Sequence, residues 1–134
     1  MTGQVETRVR YAETDQMGRA HHSHYIVWCE MGRTALMREH GASYDEIESR
    51  GVMLPVTRVE VEYRVPLGYD EAVRIDTRIR SIRSRSVTFE YEVYRSSDEA
   101  LAARATTMLV CMDGDGKMRR IPEDVMEALR AAAA

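Results

Sequence analysis

The sequence predicts an α+β fold, one antiparallel sheet wrapped around a single long central helix, and three observations predict it. A segment opening near Ser23 repeats its apolar residues at helical spacing, whereas the chain from Gly51 to Met112 repeats them at strand spacing. The third is length: 134 residues form one hydrophobic core, so residues 1–134 are expected to make a single domain. A chain of this size buries roughly 65–70% of its unfolded surface and needs no metal or disulfide to hold it.

The elements follow in order. Thr7, Val9 and Tyr11 alternate with Arg8 and Arg10, a strand with one buried face. The polar stretch Glu13 to Gly18 ends it. From Ser23, the residues Tyr25, Trp28, Cys29, Gly32, Ala35 and Leu36 recur three and four apart, which marks a helix of roughly four turns closed by Gly41. Gly32 and Ala35 are small, so this helix lies close against whatever covers it. Ser43 with Glu46 three positions on reads as a capping box, opening a short helix over Tyr44 to Ser49 that stops at Gly51. Thr57, Val59, Val61, Tyr63 and Val65 share one face of the next strand, which Pro66 and Gly68 terminate. Val73 to Arg80, Val87 to Val93 and Leu101 to Met112 make three more, and the four strands after the helices are expected to form a meander. A last helix starts at Pro122 and frays into the terminal alanines. Edge strands of such a sheet invite a second copy, so a dimer is the minimum expected.

Composition removes several function classes. A net charge of −3 argues against a general nucleic-acid binder, whose affinity comes from clustered positive charge. No run approaches the roughly 20 apolar residues of a membrane span. The first ten residues alternate charged and apolar side chains, unlike an export signal, and Cys29 and Cys111 sit in apolar stretches as buried thiols of a reducing compartment. The expected location is the cytoplasm. Lys117 is the only lysine, and the arginines cluster at Arg74, Arg78, Arg80, Arg83 and Arg85, a density suited to a phosphorylated ligand.

Polar residues gather where the first strand hands over to the long helix: Tyr11, Glu13, Thr14, Asp15, His21, His22, His24 and Tyr25. A helix amino end offers unpaired N–H groups and partial positive charge, which together hold a developing oxyanion. Asp15 precedes those donors on a loop that Gly18 allows to turn back. A carboxylate facing a carbonyl whose oxygen is so held is the minimum kit for cleaving an activated acyl group. Blander readings stand beside this one. Asp15 suits a turn or cap, His22 suits packing or solvation, and Tyr25 and Trp28 suit the core. His21 and His24 with Asp15 could share a metal, although no thiolate or second ligand cluster accompanies them. Cys29 lacks a basic neighbour to activate it.

The pattern Tyr11-x-x-Thr14-Asp15-x-x-Gly18-x-x-x-His22-x-x-Tyr25, followed by Glu30 and Arg33, resembles the hotdog-fold acyl-CoA thioesterases of the 4-hydroxybenzoyl-CoA thioesterase family, in the branch that includes the Tol-Pal-associated enzymes. Tyr63-x-x-Pro66, the Tyr69-Asp70-Glu71 turn and the residues around Ser86 and Phe89 extend the likeness. The resemblance implies a hotdog fold and acyl-CoA hydrolysis, with coenzyme A part of the substrate and no cofactor or metal. It matches Asp15 to the catalytic carboxylate, as nucleophile or as base for water. It matches the main-chain N–H of His22 to the donor that polarises the thioester carbonyl, and Tyr11 with the His22 side chain to residues completing the site. Tyr25 and Val59 are expected to contact the acyl group, and Arg83, Arg85 and Ser86 the pantetheine and phosphates. The family builds its sites across a homodimer, or a dimer-of-dimers tetramer, so Met53 to Val59 of one subunit would line the other's pocket. Arg19, Ala20 and His21 depart from the family's hydrophobic residues there, and His24 from its small polar one. The readings set against hydrolysis are a non-catalytic acyl-CoA-binding hotdog protein and a hotdog enoyl-CoA hydratase.

Overall fold

The computed structural model describes residues 2–134; Met1, the first residue of the alternating amino end, lies outside them. Strand β1 spans Gly3–Arg8, helix α1 His24–Glu39, helix α2 Tyr44–Ser49, strand β2 Val56–Tyr63, strand β3 Ala72–Ile82, strand β4 Ser86–Arg95, strand β5 Ala100–Val110 and helix α3 Glu123–Ala133. The five strands form one antiparallel sheet in the order β1-β3-β4-β5-β2.

The alternation in β3, β4 and β5 gives the sheet one apolar face. Thr77, Tyr91 and Ala105 are in register on it and continue to Val61 of β2. Val73, Ile75, Phe89, Val93 and Leu109 are all buried there, together with Trp28, Leu36 and Met37 of α1. Each such side chain contributes about 1.5–3 kcal/mol by leaving water. The small residue anticipated on the helix has its reason here. A Cβ on Gly32 would lie 2.2 Å from Oγ1 of Thr77 and 3.1 Å from Cγ2 of Ile75, so only glycine lets α1 sit this close to β3.

The opposite face is laddered with ion pairs. Arg74 binds Asp76 at 3.0 Å and Glu99 at 2.6 Å and stacks over Tyr94, Arg104 lies 3.8 Å from Glu92, and Arg78 pairs with Glu90. Arg74 and Arg78 are therefore committed to carboxylates of the same face. That removes them from the arginine cluster expected to await a phosphorylated ligand.

Four expectations are corrected. The first strand ends at Arg8; Tyr11 begins a turn of 3₁₀ helix over Tyr11–Glu13, because Glu13 reaches back to accept the main-chain N–H of Arg10 at 2.8 Å. β2 is no part of the meander: it crosses to the far edge and pairs with β5, since alternation reports a buried face but not which neighbour supplies it. Ser43 is the N-cap of α2 but its side chain makes no cap bond, so the capping box is absent. The terminal alanines do not fray, for α3 runs to Ala133 and buries Ala132 along with Val125, Met126 and Leu129.

Because α1 covers β1 and β3, the apolar face of β2 is left open. Val59 and Tyr63 are in register with Thr107 and Ala103, on the helix side of the sheet, yet remain 38% and 45% exposed. Among the described residues no helix is long and apolar enough to cross a membrane.

Candidate active site

The turn that carries Asp15 is built locally. Thr14 and Ala20 form a two-residue bridge, and Asp15 closes the loop between them: its N–H donates to the carbonyl of Arg19 at 2.8 Å, and its own carbonyl accepts from Gly18 at 3.0 Å. Gly18 takes φ +75°, a conformation that suits glycine. Oδ1 of Asp15 accepts the N–H groups of Met17 at 2.9 Å and Arg19 at 3.3 Å. The bland reading of Asp15 as a turn residue thus describes one of its oxygens. Neither of these bonds uses Oδ2.

Three contacts seat this turn, two on the loop between β2 and β3 and one on the 3₁₀ turn. Ala20 donates to the carbonyl of Leu67 at 2.8 Å, Arg19 bridges to Gly68, and His21 donates to the carbonyl of Glu13 at 2.8 Å. The chain then makes one more turn over His22 and Ser23 before α1 begins at His24. Ser23 donates its N–H to Nδ1 of His21 at 3.3 Å. Among the described residues, the main-chain N–H of His22 has no acceptor within the chain. That free donor sits at the positive end of a 16-residue helix.

Glu13 anchors the arrangement from below and was not singled out by the sequence for this role. It is buried and accepts the indole N–H of Trp28 at 3.3 Å, while Nδ1 of His24 lies 3.9 Å away. Burial pushes its carboxyl up, but the bonds from Arg10 and Trp28 outweigh it, so the group titrates below its ordinary value. Burial also pushes Tyr25 up to about 12, with Tyr63 and Glu71 adding to it, and Cys29 up to about 12 against the pull of Arg33. Both stay protonated at neutral pH.

A cavity of about 250 Å³ opens beside the amino end of α1, lined by Ala20, His22, Tyr25, Tyr63 and Pro66 among others. Larger hollows of about 430 and 510 Å³ lie elsewhere, walled by Arg78, Glu90 and Arg104 and by Arg58, Glu60 and Arg83. The smaller cavity is the one lined by His22, whose main-chain N–H is unpaired, together with Tyr25 and Tyr63. Tyr63 reaches into it from β2 and donates its hydroxyl to the carbonyl of His22 at 2.7 Å. Its ring stands edge-on to Tyr25, with centroids 4.9 Å apart.

The structure brings Asp15, His22 and Tyr25 to one end of the sheet. Tyr11 is at that end too but is 78% exposed, its ring edge-on to Tyr69 at 5.8 Å rather than in the cavity wall. Arg83 and Arg85 occupy the β3–β4 turn and Ser86 opens β4 at the other end, a strand length of roughly 30 Å away. No ion pair within the described residues engages Arg80, Arg83 or Arg85. Val59 stands in mid-strand on open β2. The histidines do not assemble a metal site with Asp15: among the described residues no three His, Cys, Asp or Glu side chains are grouped as ligands, and Nδ1 of His21 is engaged by Ser23.

A family model described as the thioesterase-like superfamily matches residues 9–129. The chain belongs to the thioesterase-like superfamily. Its enzyme class is thioester hydrolase, and its fold is the hotdog fold of that family. YneP of Bacillus subtilis is 40% identical over 108 residues, covering 81% of this chain and 78% of that protein. The acyl-CoA thioester hydrolase YbgC of Escherichia coli is 30% identical over 120 residues, 89% of each chain. The crystal structure of a DHNA-CoA thioesterase from Staphylococcus aureus superposes with a TM-score of 0.92 at 30% identity, covering 97% of this chain and 89% of that one. That structure therefore shares the fold of this chain over nearly its whole length.

Proposed function

We propose that this chain hydrolyses the thioester of a small to medium acyl-CoA, with Asp15 as the reacting carboxylate and the main-chain N–H of His22 as the carbonyl-polarising donor. The observation that carries the reading is the unpaired N–H of His22 at the amino end of α1, one short turn from a carboxylate with an oxygen outside its own turn bonds. Ionised Asp15 attacks the thioester carbon, or draws a proton from water that does. In the first route the C–S bond breaks as the tetrahedral intermediate collapses, giving a mixed anhydride and the coenzyme A thiolate, and water then releases the acid. In the second, water adds directly and the thiolate takes up the proton that Asp15 received. A thiolate leaves readily, so neither route calls for a strong acid or a metal. The His22 donor supplies about 3–4 kcal/mol of the barrier reduction, the size of comparable single oxyanion contacts.

The reading includes a homodimer, supported by the strand-length separation between Asp15 and the arginines. Within one chain Arg83 and Arg85 are too distant for a substrate held at His22, so one substrate meets both sets only if the site spans two copies. The open apolar face of β2, with Val59 and Tyr63 exposed, is where a second copy would complete an acyl pocket.

Thiol release from a panel of short, long, branched and aromatic acyl-CoAs, run beside Asp15→Asn, tests the reading. Turnover with at least one substrate, and its loss in the variant with retained binding of a non-hydrolysable analogue, is expected. Binding without turnover would make the protein an acyl-CoA carrier or sensor, and hydration of an enoyl-CoA without thiol release would make it a hydratase.

A further inference from the structure

We infer that Tyr63 is a positioning residue for the thioester carbonyl, acting through His22; the inference rests on the proposed role of the His22 amide. His22 precedes the N-cap Ser23 of α1, and the N-cap carbonyl is the first one a helix engages; here the N–H of Ile26 donates to it at 3.3 Å. The His22 carbonyl, one position further out, lies outside the helical ladder. The Tyr63 hydroxyl takes the vacant place at 2.7 Å, from a strand 41 residues along the chain. The next amide is held from the other side, since Ser23 N–H donates to Nδ1 of His21. The peptide unit joining His22 to Ser23 is therefore gripped at both its C=O and its N–H, outside the helical ladder.

This grip fixes residue 22, which carries the unpaired donor. Without it, the His22 carbonyl has no partner in the chain, and rotation of that peptide about its Cα swings the preceding amide off the line to a carbonyl in the cavity. Hydrogen-bond donation to this carbonyl polarises its own peptide, whose N–H is that of Ser23, and so also strengthens the bond from Ser23 to Nδ1 of His21. The Tyr63 ring is braced for the task, edge-on to Tyr25 at 4.9 Å and to His22 at 6.5 Å. Burial holds its hydroxyl above the ordinary tyrosine range, so it remains a donor at neutral pH. The spacing Tyr63-x-x-Pro66 acquires a physical meaning. Pro66 also lines the cavity, and Tyr63, the last residue of β2, lines it from the sheet.

The test compares wild type, Tyr63→Phe, Asp15→Asn and a protein carrying 3-fluorotyrosine at position 63, by steady-state thiol release and by infrared spectroscopy of a bound ketone analogue in which a methylene replaces the thioester sulfur. Tyr63→Phe keeps the ring and removes only the hydroxyl. The expected result is a kcat lower by about tenfold, the order of one lost positioning contact, with KM nearly unchanged. The carbonyl stretch of the analogue should rise in frequency, reporting weaker polarisation, and the fluorotyrosine protein should restore both rate and stretch. Wild-type rate and stretch in Tyr63→Phe, with Asp15→Asn inactive, overturn the inference while leaving the hydrolase reading intact. A wild type that releases no thiol from any acyl-CoA, or an Asp15→Asn as active as wild type, is instead the failure of the underlying reading. Should Tyr63→Phe not fold, the fluorotyrosine protein decides: its hydroxyl ionises at lower pH than tyrosine's and then no longer donates, so rate and stretch should depart from their neutral values at lower pH than in the wild type, and identical pH profiles overturn the inference.

Discussion

The indole N–H of Trp28 donates to the buried carboxylate of Glu13 at 3.3 Å, tying the loop that bears Asp15 to the second turn of the central helix. The same carboxylate takes the main-chain N–H of Arg10. One side chain thus fixes how the loop enters and where the helix stands. Its folded pKa lies below the ordinary value of 4.5, so it contributes stability that is fully present above that value and is lost as pH falls through the folded one. Glu13→Gln should flatten the acid limb of the stability curve below pH 4.5 and lower stability at neutral pH by about 2 kcal/mol. Urea midpoints measured from neutrality downward for both proteins check this.

Gly32→Ala should cost about 3 kcal/mol or more, because the new methyl meets the Thr77 hydroxyl 2.2 Å away and α1 must lift from β3. The helix also carries the His22 donor, so activity should fall with stability. Thermal denaturation and thiol release on the same samples test it. A variant as stable as wild type would contradict the close approach of helix and sheet.

Asp15→Asn and Asp15→Ala should separate turn from chemistry. The asparagine oxygen still accepts the N–H groups of Met17 and Arg19, so this variant should melt with the wild type. Its turnover should drop by about a hundredfold or more, the scale of losing a reacting carboxylate. Alanine removes both turn bonds as well, at about 1–2 kcal/mol of stability. Equal turnover in all three proteins would remove Asp15 from the mechanism.

Neutralising Arg83 and Arg85 together should raise KM for an acyl-CoA by about tenfold without changing kcat, and the effect should shrink in high salt. The matching acyl-pantetheine, which lacks the nucleotide phosphates, should be processed alike by variant and wild type. A KM change on both substrates would place these arginines elsewhere than at the nucleotide.

Cys29 and Cys111 should resist alkylation in the folded protein. Both are buried free thiols, and burial pushes Cys29 up to about 12, which leaves almost no thiolate at neutral pH. Mass spectrometry after iodoacetamide treatment, with and without denaturant, reads this out directly.

The legibility of the chain differs from element to element for physical reasons. Period alone placed α1 and the strands β3 to β5 to within a few residues, because each buries one face against a single core, whereas α2 was placed by a Ser43–Glu46 capping pattern whose Ser43 cap bond does not form. The same rule failed at β2. Val59, Val61 and Tyr63 do share a face, but whether a helix covers that face depends on where the strand sits in the sheet, and β2 lies at the uncovered edge. It failed at Tyr11 because the side chain of Glu13, three residues on, turns the backbone out of the strand. At the carboxyl end Ala132 is buried though nothing in a run of alanines marks an inward face, since small residues fit a close contact as well as they suit solvent.

At the site, sequence spacing by itself determined that Asp15, Gly18 and His22 would lie together between the first strand and the long helix, because a tight turn and a helix start are local events within a dozen residues. Only the tertiary structure decided which donors remain free. Tyr63 comes from a strand some forty residues away to take the His22 carbonyl, and Glu13 is buried by a helix that begins after it. Such partners are chosen by packing across the sheet, where distance along the chain carries no weight, and the separation of Arg83 from Asp15 follows from the same geometry: the 11-residue strand β3 runs between the two ends of the sheet that carry them.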